Sequence, residues 1–179
     1  MGLTTLFVNW VHRQANLGTN ILILPQIETP RGIATIESWD CSNLEFSGIG
    51  FGSADYCAST GGDMGKASLA YGRGKIINAA ALYNTLALDG VWLDFRDPDG
   101  CREETLYVKS MGFKGRFAIH PDQIKPIHDA YRPTTEELEW AKGVLEEAKT
   151  AGSGAFKYQG KMVDAPVLAV ARLIISRED

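Results

Sequence analysis

Short apolar runs alternate with longer amphipathic stretches along the first three quarters of the chain. The runs are ILILPQIE at residues 21–28, the stretch from Phe46 to Phe51, GVWLDF at 90–95 and GRFAIH at 115–120. Nearly uninterrupted apolar runs of this length are typical of strands that are buried on both faces of a sheet. The pattern therefore predicts four buried strands.

Apolar residues at helical spacing fill the intervals around these strands. They predict an amphipathic helix over residues 3–16, a short one over 33–39, a long one over about 64–86 and another over roughly 101–111. The strand ends recur about every thirty residues, which is the length of one βα unit. We therefore expect parallel strands joined by right-handed helical crossovers.

This alternation predicts an α/β fold. It fits half of a (β/α)₈ barrel or a small doubly wound sheet, because a closed barrel needs about 250 residues and the chain has 179. The last quarter departs from the βα series, since AGSGA at 151–155 separates a helix over 136–149 from the strand-like FKYQGKMV and a final helix over 167–176. We expect a half-barrel domain over residues 1–132 and a C-terminal extension or lid over residues 133–179.

Composition and charge argue against several classes of function. A net charge of -4 and a pI near 5.4 give no basic footprint for binding nucleic acid. No window approaches the roughly 20 apolar residues that span a bilayer, and the start lacks the basic and apolar segments of a signal peptide. The three cysteines form no CxxC pair, which fits a reducing compartment. We expect neither nucleic acid nor a membrane as a partner.

Charged side chains follow the predicted strands, where reactive groups of parallel α/β folds collect. They are Glu28, Asp55, Asp94, Arg96, Asp97 and His120. Glu28 and Asp55 follow neighbouring strands and suit a hard cation, and Mg²⁺ takes one or two protein carboxylates and completes its shell with water and substrate oxygens. On spacing alone an alternative stays open: Glu28 could cap the following helix and Asp55 could fix a turn.

Three further residues each have two possible roles. His120 could be a general base, although a hydrogen-bonded structural or ligand-contacting role is favoured for a His at a strand end before Pro121. Arg31 and Arg73 could bind the phosphates of a nucleotide-bearing ligand, or they could be solvated surface residues. The glycine-rich GIGFGSAD and GGDMGKA lack the residues that complete a dinucleotide or phosphate loop, so neither site is predicted.

Five sequence blocks carry a family resemblance. They are LPQIETPRG at 24–32, FGSADY at 51–56, DGVWLDFRDPDG at 89–100, GFKGRFAIHPDQI at 112–124 and GAFKYQGKMVDAPV at 154–167. In this order and spacing they resemble the citrate lyase β-subunit-like family, which includes malyl-CoA, citramalyl-CoA and citryl-CoA lyases. The resemblance covers the chain from about Asn20 onward.

The resemblance implies a (β/α)₈ barrel with a C-terminal extension and a reversible Claisen-type cleavage of a 3-hydroxyacyl-CoA thioester. By resemblance, Glu28 and Asp55 hold Mg²⁺, which chelates an oxo acid such as glyoxylate or pyruvate, and the other product is acetyl-CoA or a related thioester. Asp164 matches the acid/base of the lid, which in the family reaches the active site of a neighbouring subunit. The resemblance therefore also implies a homo-oligomer, a trimer in the family. On the residues alone, Asp164 could equally cap the final helix ahead of Pro166.

The chain departs from the family in one respect. The family barrel has four further βα units before the position of Leu22, and they supply an arginine that stabilises the thioester enolate. We therefore expect the chain to correspond to the C-terminal half of such an enzyme. A catalytically silent homologue that binds partners or subunits remains the alternative, and the location is left open between cytoplasm and mitochondrion.

Overall fold

A computed structural model describes residues 23–39, 46–152 and 154–178. The predicted helix over 3–16 lies outside the described residues. The chain divides into two compact units, residues 1–131 and residues 132–179. Within the described residues no helix combines the length and the apolarity needed to cross a membrane.

The first unit is built on a parallel sheet of four short strands. The strands are β1 (Gln26–Ile27), β2 (Ile49–Phe51), β3 (Ala87–Asp89) and β4 (Gly115–Arg116), and they lie side by side in chain order. A parallel bridge between Ile23 and Phe46 extends the pairing of β1 with β2. All four strands therefore end at the same edge of the sheet, as the sequence pattern predicts.

Helices connect the strands and cover one face of the sheet. They are α1 (Pro30–Thr35), α2 (Ser53–Thr60), α3 (Lys66–Leu82), α4 (Pro98–Met111) and α5 (Ile124–Tyr131), with 3₁₀ turns at Ile36–Ser38 and Pro121–Gln123. The packing is close where α3 crosses β2, since a Cβ added to Gly72 would lie 2.5 Å from Cζ of Phe51. The core between sheet and helices is formed mainly by Ile27, Ile33, Ile49, Phe51, Leu69, Ile76, Val108 and Phe113.

The second unit consists of two helices and a hairpin. Helix α6 (Thr135–Ala151) begins with a capping box formed by Thr134 and Glu137. Strands β5 (Phe156–Tyr158) and β6 (Lys161–Val163) pair antiparallel and precede α7 (Ala165–Ile175). Its small core includes Ala141, Val144, Val163 and Ala171.

Several predicted boundaries are wrong. The third strand is Ala87–Asp89 rather than 90–95, because the apolar residues of GVWLDF belong to the loop after that strand, where Val91 and Trp92 are half-buried. The long helix ends at Leu82 rather than near residue 86, since the chain turns at Asn84, which has a φ of 50°. Helices α2 and α5 were not predicted from the sequence.

A buried ionic network fixes the third and fourth strands to their helices. Asp89 is fully buried at the end of β3 and accepts hydrogen bonds from two arginines. Arg73 on α3 donates through Nε at 3.1 Å and Nη2 at 3.0 Å, and Arg116 on β4 donates through Nη2 at 3.0 Å. Arg116 also donates to the carbonyl oxygen of Gly90 and to the hydroxyl of Thr105 on α4.

Arg73 is therefore neither a phosphate ligand nor a surface residue. Its side chain is 2% exposed, and Nη2 also lies 2.8 Å from a carboxylate oxygen of Glu104. Burial works to lower the pKa of Arg73, but the charges of Asp89 and Glu104 outweigh it and raise the pKa above the ordinary value. The guanidinium stays charged and is held between β3 and α4.

We predict that Asp89→Asn lowers the free energy of unfolding by about 3–5 kcal/mol, because it leaves the buried guanidinium of Arg116 without a carboxylate and that of Arg73 with Glu104 alone. Urea unfolding followed by circular dichroism measures the change. Lys125→Gln is the matched control in the same unit, since Lys125 pairs with Asp129 while its side chain is 82% exposed, and it should cost less than about 1 kcal/mol. Equal losses for both variants would contradict a structural role for the network.

Candidate active site

A concave pocket of about 350 Å³ lies in the first unit at the carboxyl ends of the strands. Residues from all four strand ends line it: Gln26, Phe51, Gly52, Ser53, Ala54, Asp55, Gly90, Val91, Phe117, Ala118 and Ile119. Ligand sites of parallel α/β folds lie at this edge because the loops there diverge from a rigid sheet. The position alone makes the pocket the candidate site.

Glu28 and Asp55 both lie at this edge of the sheet. The N–H of Gly52 donates to the carbonyl oxygen of Ile27 at 2.8 Å, which holds the start of α2 against the end of β1. A Cβ added to Gly52 would lie only 2.4 Å from Cβ of Glu28, so a glycine is required where the two chain segments meet. Asp55 lies in the first turn of α2, three residues further on, and both carboxylates are exposed.

The structure excludes a helix-capping role for Glu28. The N-cap of α1 is Thr29, whose hydroxyl accepts a hydrogen bond from the N–H of Gly32 at 3.1 Å. Glu28 is therefore not needed as a cap. Asp55 is part of a helix rather than a turn after the strand.

The donor set fits a cation that takes few protein ligands. Among the described residues, no group of three or more His, Cys, Asp or Glu side chains is placed to hold a metal. A transition-metal site built only from protein ligands would need such a group. Two carboxylates beside an open pocket match Mg²⁺, which keeps water or substrate oxygens in its remaining positions.

The start of α2 adds an anion-binding element to the pocket. The N-cap is Gly52, which has no side chain with which to cap the helix, and the first bond inside the helix is that from the N–H of Tyr56 to Gly52 at 3.0 Å. The N–H groups of Ser53, Ala54 and Asp55 have no carbonyl one turn earlier in the helix. These residues line the pocket, and free N–H groups at a helix start favour a carboxylate or phosphate.

Sequence reasoning missed this helix because GFGSADY was assigned to a strand end and a turn. The signal for it lay further along the chain. Gly61 ends α2 with a φ of 75°, the left-handed conformation that commonly terminates a helix at a glycine. Counting back from Gly61 would have placed Asp55 inside a helix.

Gln123 joins the two loops that form one side of the pocket. It is 1% exposed. Its Nε2 donates to the carbonyl oxygen of Trp92 at 2.7 Å, and its Oε1 accepts from the N–H of Ile119 at 2.9 Å. The loop after β3 is thereby fixed to the loop after β4. No local sequence pattern indicates this role of Gln123.

The other charged residues at the strand ends stabilise turns. Asp97 caps α4 by accepting from the N–H of Gly100 at 2.9 Å, and Asp94 accepts from the N–H of Arg96 at 3.0 Å. Nδ1 of His120 accepts from the N–H of Asp122 at 3.2 Å. These contacts give each of the three side chains a local structural role.

The ring of His120 also stacks on Phe95 with the ring centroids 4.7 Å apart. Neither residue is part of the pocket lining. The described contacts of His120 are those of a hydrogen-bonded structural residue.

Asp164 lies in the second unit, at the N-cap of α7. Its Oδ1 accepts a hydrogen bond from the N–H of Val167 at 3.3 Å, and the residue is half-buried. Pro166 lies in the first turn of the helix, where proline is favoured. Asp164 thus has a capping role within its own unit.

Two families match the chain. Residues 11–121 match the HpcH/HpaI aldolase/citrate lyase family, and residues 74–178 match the carbon–carbon bond lyase family of the TIM-barrel fold. The mitochondrial citramalyl-CoA lyase of Rattus norvegicus is 32% identical over 167 residues, which cover 86% of this chain and 49% of the relative. Citrate lyase subunit beta of Escherichia coli K12 is 33% identical and covers 88% of this chain and 54% of the relative.

This chain is similar, with a TM-score of 0.73, to a solved structure of Mycobacterium tuberculosis CitE in complex with magnesium, acetoacetate and coenzyme A. The two proteins are 31% identical, and the match covers 90% of this chain and 62% of that chain. A citrate lyase from Burkholderia xenovorans, at 19% identity and a TM-score of 0.79, supports the fold alone.

The chain spans about half the length of the curated relatives it matches. The predicted fold class, an α/β fold with part of a (β/α)₈ barrel, is confirmed by these matches and by the four-stranded parallel sheet. The predicted resemblance is confirmed as well: this chain belongs to the HpcH/HpaI aldolase/citrate lyase family.

Proposed function

We propose that this protein is a Mg²⁺-dependent carbon–carbon lyase that acts on a 3-hydroxyacyl-CoA thioester such as malyl-, citramalyl- or citryl-CoA. The products are an acetyl-CoA-type thioester and an oxo acid. One observation carries the proposal: Asp55 and the uncapped start of α2 line one pocket at the strand ends, and the exposed Glu28 lies directly against Gly52 of that lining. This combination suits a cation and an organic anion bound side by side.

Glu28 and Asp55 would hold the Mg²⁺. The similar CitE structures contain magnesium together with acetoacetate and coenzyme A, or with pyruvate. The ion, when bound, supplies Lewis-acid stabilisation of charge that develops on the oxygens of the oxo acid. The backbone hydrogen bond between Gly52 and Ile27 joins the two segments that bear these carboxylates, which supports the proposal that they act together.

The first turn of α2 would bind the carboxylate of the oxo acid. The residues of this turn line the pocket, and charge-assisted hydrogen bonds to the free N–H groups of a helix start are stronger than neutral ones. At Gly90 the loop after β3 packs directly against the start of α2, since an added Cβ would lie 2.0 Å from Oγ of Ser53 and 2.9 Å from the carbonyl oxygen of Phe51. A glycine is therefore required at this point of the pocket lining.

Asp164 would transfer the proton. In the cleavage direction the hydroxyl group of the substrate gives its proton to water as its carbon becomes the oxo carbon, and the carbon–carbon bond breaks. The thioester carbon that keeps the electron pair takes a proton from the carboxyl form of Asp164, which water then reprotonates. A carboxyl group placed by a separate unit can reach such a carbon when water is excluded. As in the family, we propose that the carboxylate comes from a neighbouring subunit of a homo-oligomer, a trimer.

The open edges of the sheet favour a second candidate function. Within the described residues, β1 and β4 each pair with one strand only, so both outer edges of the sheet are open to another strand. A catalytically inactive homologue would use the same fold to bind a ligand or a partner chain. For the location, the rat relative is named as mitochondrial, and we propose mitochondrion or cytoplasm.

An assay of carbon–carbon bond cleavage in acyl-CoA substrates decides between the two functions. We expect this chain to cleave malyl-CoA or citramalyl-CoA in the presence of Mg²⁺ and to lose the activity on chelation with EDTA. Glu28→Gln should abolish cleavage, because it removes a charged ligand of the cation. Glu103→Gln, an exposed position on α4, is the matched control and should leave the rate unchanged. No turnover of either thioester, with oxo-acid binding intact, would instead support the inactive homologue.

Gly52→Ala tests the placement of Glu28. The added Cβ forces Glu28 away from its position, so we expect Mg²⁺ affinity to fall about 10- to 100-fold, as when a residue that supports a metal ligand is replaced. Calorimetric titration with Mg²⁺ measures the change. Gly74→Ala is the matched control, because an added Cβ there meets nothing within 4 Å, and its affinity should equal that of the wild type. Unchanged affinity in Gly52→Ala would argue against Glu28 as a ligand.

Asp164→Asn separates helix capping from proton transfer. Asparagine caps a helix about as well as aspartate, so the free energy of unfolding should change little. An amide cannot exchange the proton, so kcat should fall by about 10²- to 10⁴-fold. Steady-state kinetics and thermal unfolding of the same preparation give both values. Wild-type kcat in this variant would leave Asp164 with the capping role alone.

A further inference from the structure

The inner face of the sheet has glycines at every second position of β2 and its flanks. They are Gly48, Gly50 and Gly52, and alternate residues of a strand point to the same face. Without side chains on β2, residues from other strands can lie directly over its backbone.

Phe117 fills the space above one of these glycines. A Cβ added to Gly50 would lie 2.6 Å from Cε2 and 2.8 Å from Cζ of Phe117. Phe117 follows β4, and β3 lies between β4 and β2. The ring therefore crosses the third strand and covers the second. Its backbone is fixed as well, since the N–H of Phe117 donates to the carbonyl oxygen of Asp89 at 3.1 Å.

The ring forms the inner wall of the pocket. Phe117 lines the same pocket as Asp55 and the first turn of α2. Gly50 precedes Gly52 by two residues, so the ring lies about 6–7 Å deeper along β2 than the start of that helix. Leu24 lies next to the ring, with Cδ2 3.6 Å from the Cβ position of Gly50. The deep end of the pocket is thus apolar, whereas its mouth is charged.

We propose that Phe117 determines which oxo acid this site accepts, by limiting the substituent on the oxo carbon to a hydrogen atom or a small alkyl group. This inference rests on the proposed function, in which the carboxylate and the oxo group are held at the mouth by the cation and by α2. The remaining substituent then meets the Phe117 ring, which lines the pocket. A longer alkyl chain collides with the ring, and a second carboxylate would be buried there without a partner.

Binding of a series of oxo acids tests the proposal without requiring turnover. The series is glyoxylate, pyruvate, 2-oxobutyrate, 2-oxovalerate and oxaloacetate, titrated calorimetrically against the whole chain in saturating Mg²⁺. The wild type should bind glyoxylate and pyruvate more tightly than the larger acids. Phe117→Ala should raise the affinity for 2-oxobutyrate relative to pyruvate by about tenfold or more, because one methylene group in an apolar pocket changes selectivity by that factor.

Three further variants distinguish an effect of the size of the pocket wall from a general loss of structure. Phe95→Ala also removes a phenyl ring, but one that lies outside the pocket lining, so it should leave the order of affinities unchanged. Gly50→Ala pushes the end of the Phe117 ring into the pocket, so it should weaken pyruvate relative to glyoxylate. In the double variant Gly50→Ala/Phe117→Ala that loss should disappear, because the added methyl group then meets no ring.

The outcomes distinguish this inference from the proposed function. If the wild type binds none of the acids in Mg²⁺, the proposed function fails and the inference fails with it. If the wild type binds pyruvate in a Mg²⁺-dependent manner but Phe117→Ala and Gly50→Ala both keep its order of affinities, only the role of Phe117 is overturned. A shift in both single variants, in opposite directions, supports the inference.

Discussion

The buried carboxylate of Asp89 is the interaction on which the first unit depends. It receives hydrogen bonds from Arg73 on α3 and from Arg116 on β4, and the second arginine continues to Thr105 on α4. Two helices and two strands are therefore joined through one side chain. A buried ionic group that is fully paired adds little net stability but is costly to disrupt, so the arrangement has one favourable geometry.

This network also positions the pocket, although none of its charged side chains lines it. Gly90, the residue after Asp89, is part of the pocket lining, and its carbonyl oxygen accepts from Arg116. The carbonyl oxygen of Asp89 holds the N–H of Phe117, whose ring lies over Gly50. On the other side of the sheet edge, Gly52 brings the start of α2 against Glu28. Charge is thus placed at the mouth by backbone contacts, and the apolar wall is placed by the ionic network.

The parts of the fold that could be predicted from the sequence are those that follow from the spacing of apolar residues and from the order of the strands and helices. Four strands, their parallel arrangement and the edge at which Glu28 and Asp55 lie all follow from apolar runs separated by helical stretches. Burial on both faces was wrong for the first run, in which Leu24 and Gln26 are exposed. The boundaries of β3 were wrong because the loop after it is as apolar as the strand itself. The carbonyl oxygen of Trp92 accepts a hydrogen bond from Nε2 of Gln123 instead of pairing in the sheet. Apolar runs indicate burial, and burial does not distinguish a strand from a packed loop.

The parts that could not be predicted depend on contacts between residues distant in the sequence. Arg73 and Asp89 are 16 residues apart, and Arg116 is 27 residues from Asp89, so no local pattern joins them. Phe117 over Gly50 is a contact across two strands that only the register determines. Thr29 and Asp97, by contrast, lie directly before helices with a proline in the first turn, and a capping role could have been expected for both.

The central claim is that Glu28 and Asp55 form a Mg²⁺ site that binds an oxo acid together with the start of α2. Calorimetric titration of pyruvate with and without Mg²⁺, on the wild type and on Glu28→Gln and Asp55→Asn, tests it most directly. The account predicts that pyruvate binds only when Mg²⁺ is present and that either substitution abolishes binding. Pyruvate binding of equal strength without the cation, or binding that survives both substitutions, would contradict the account.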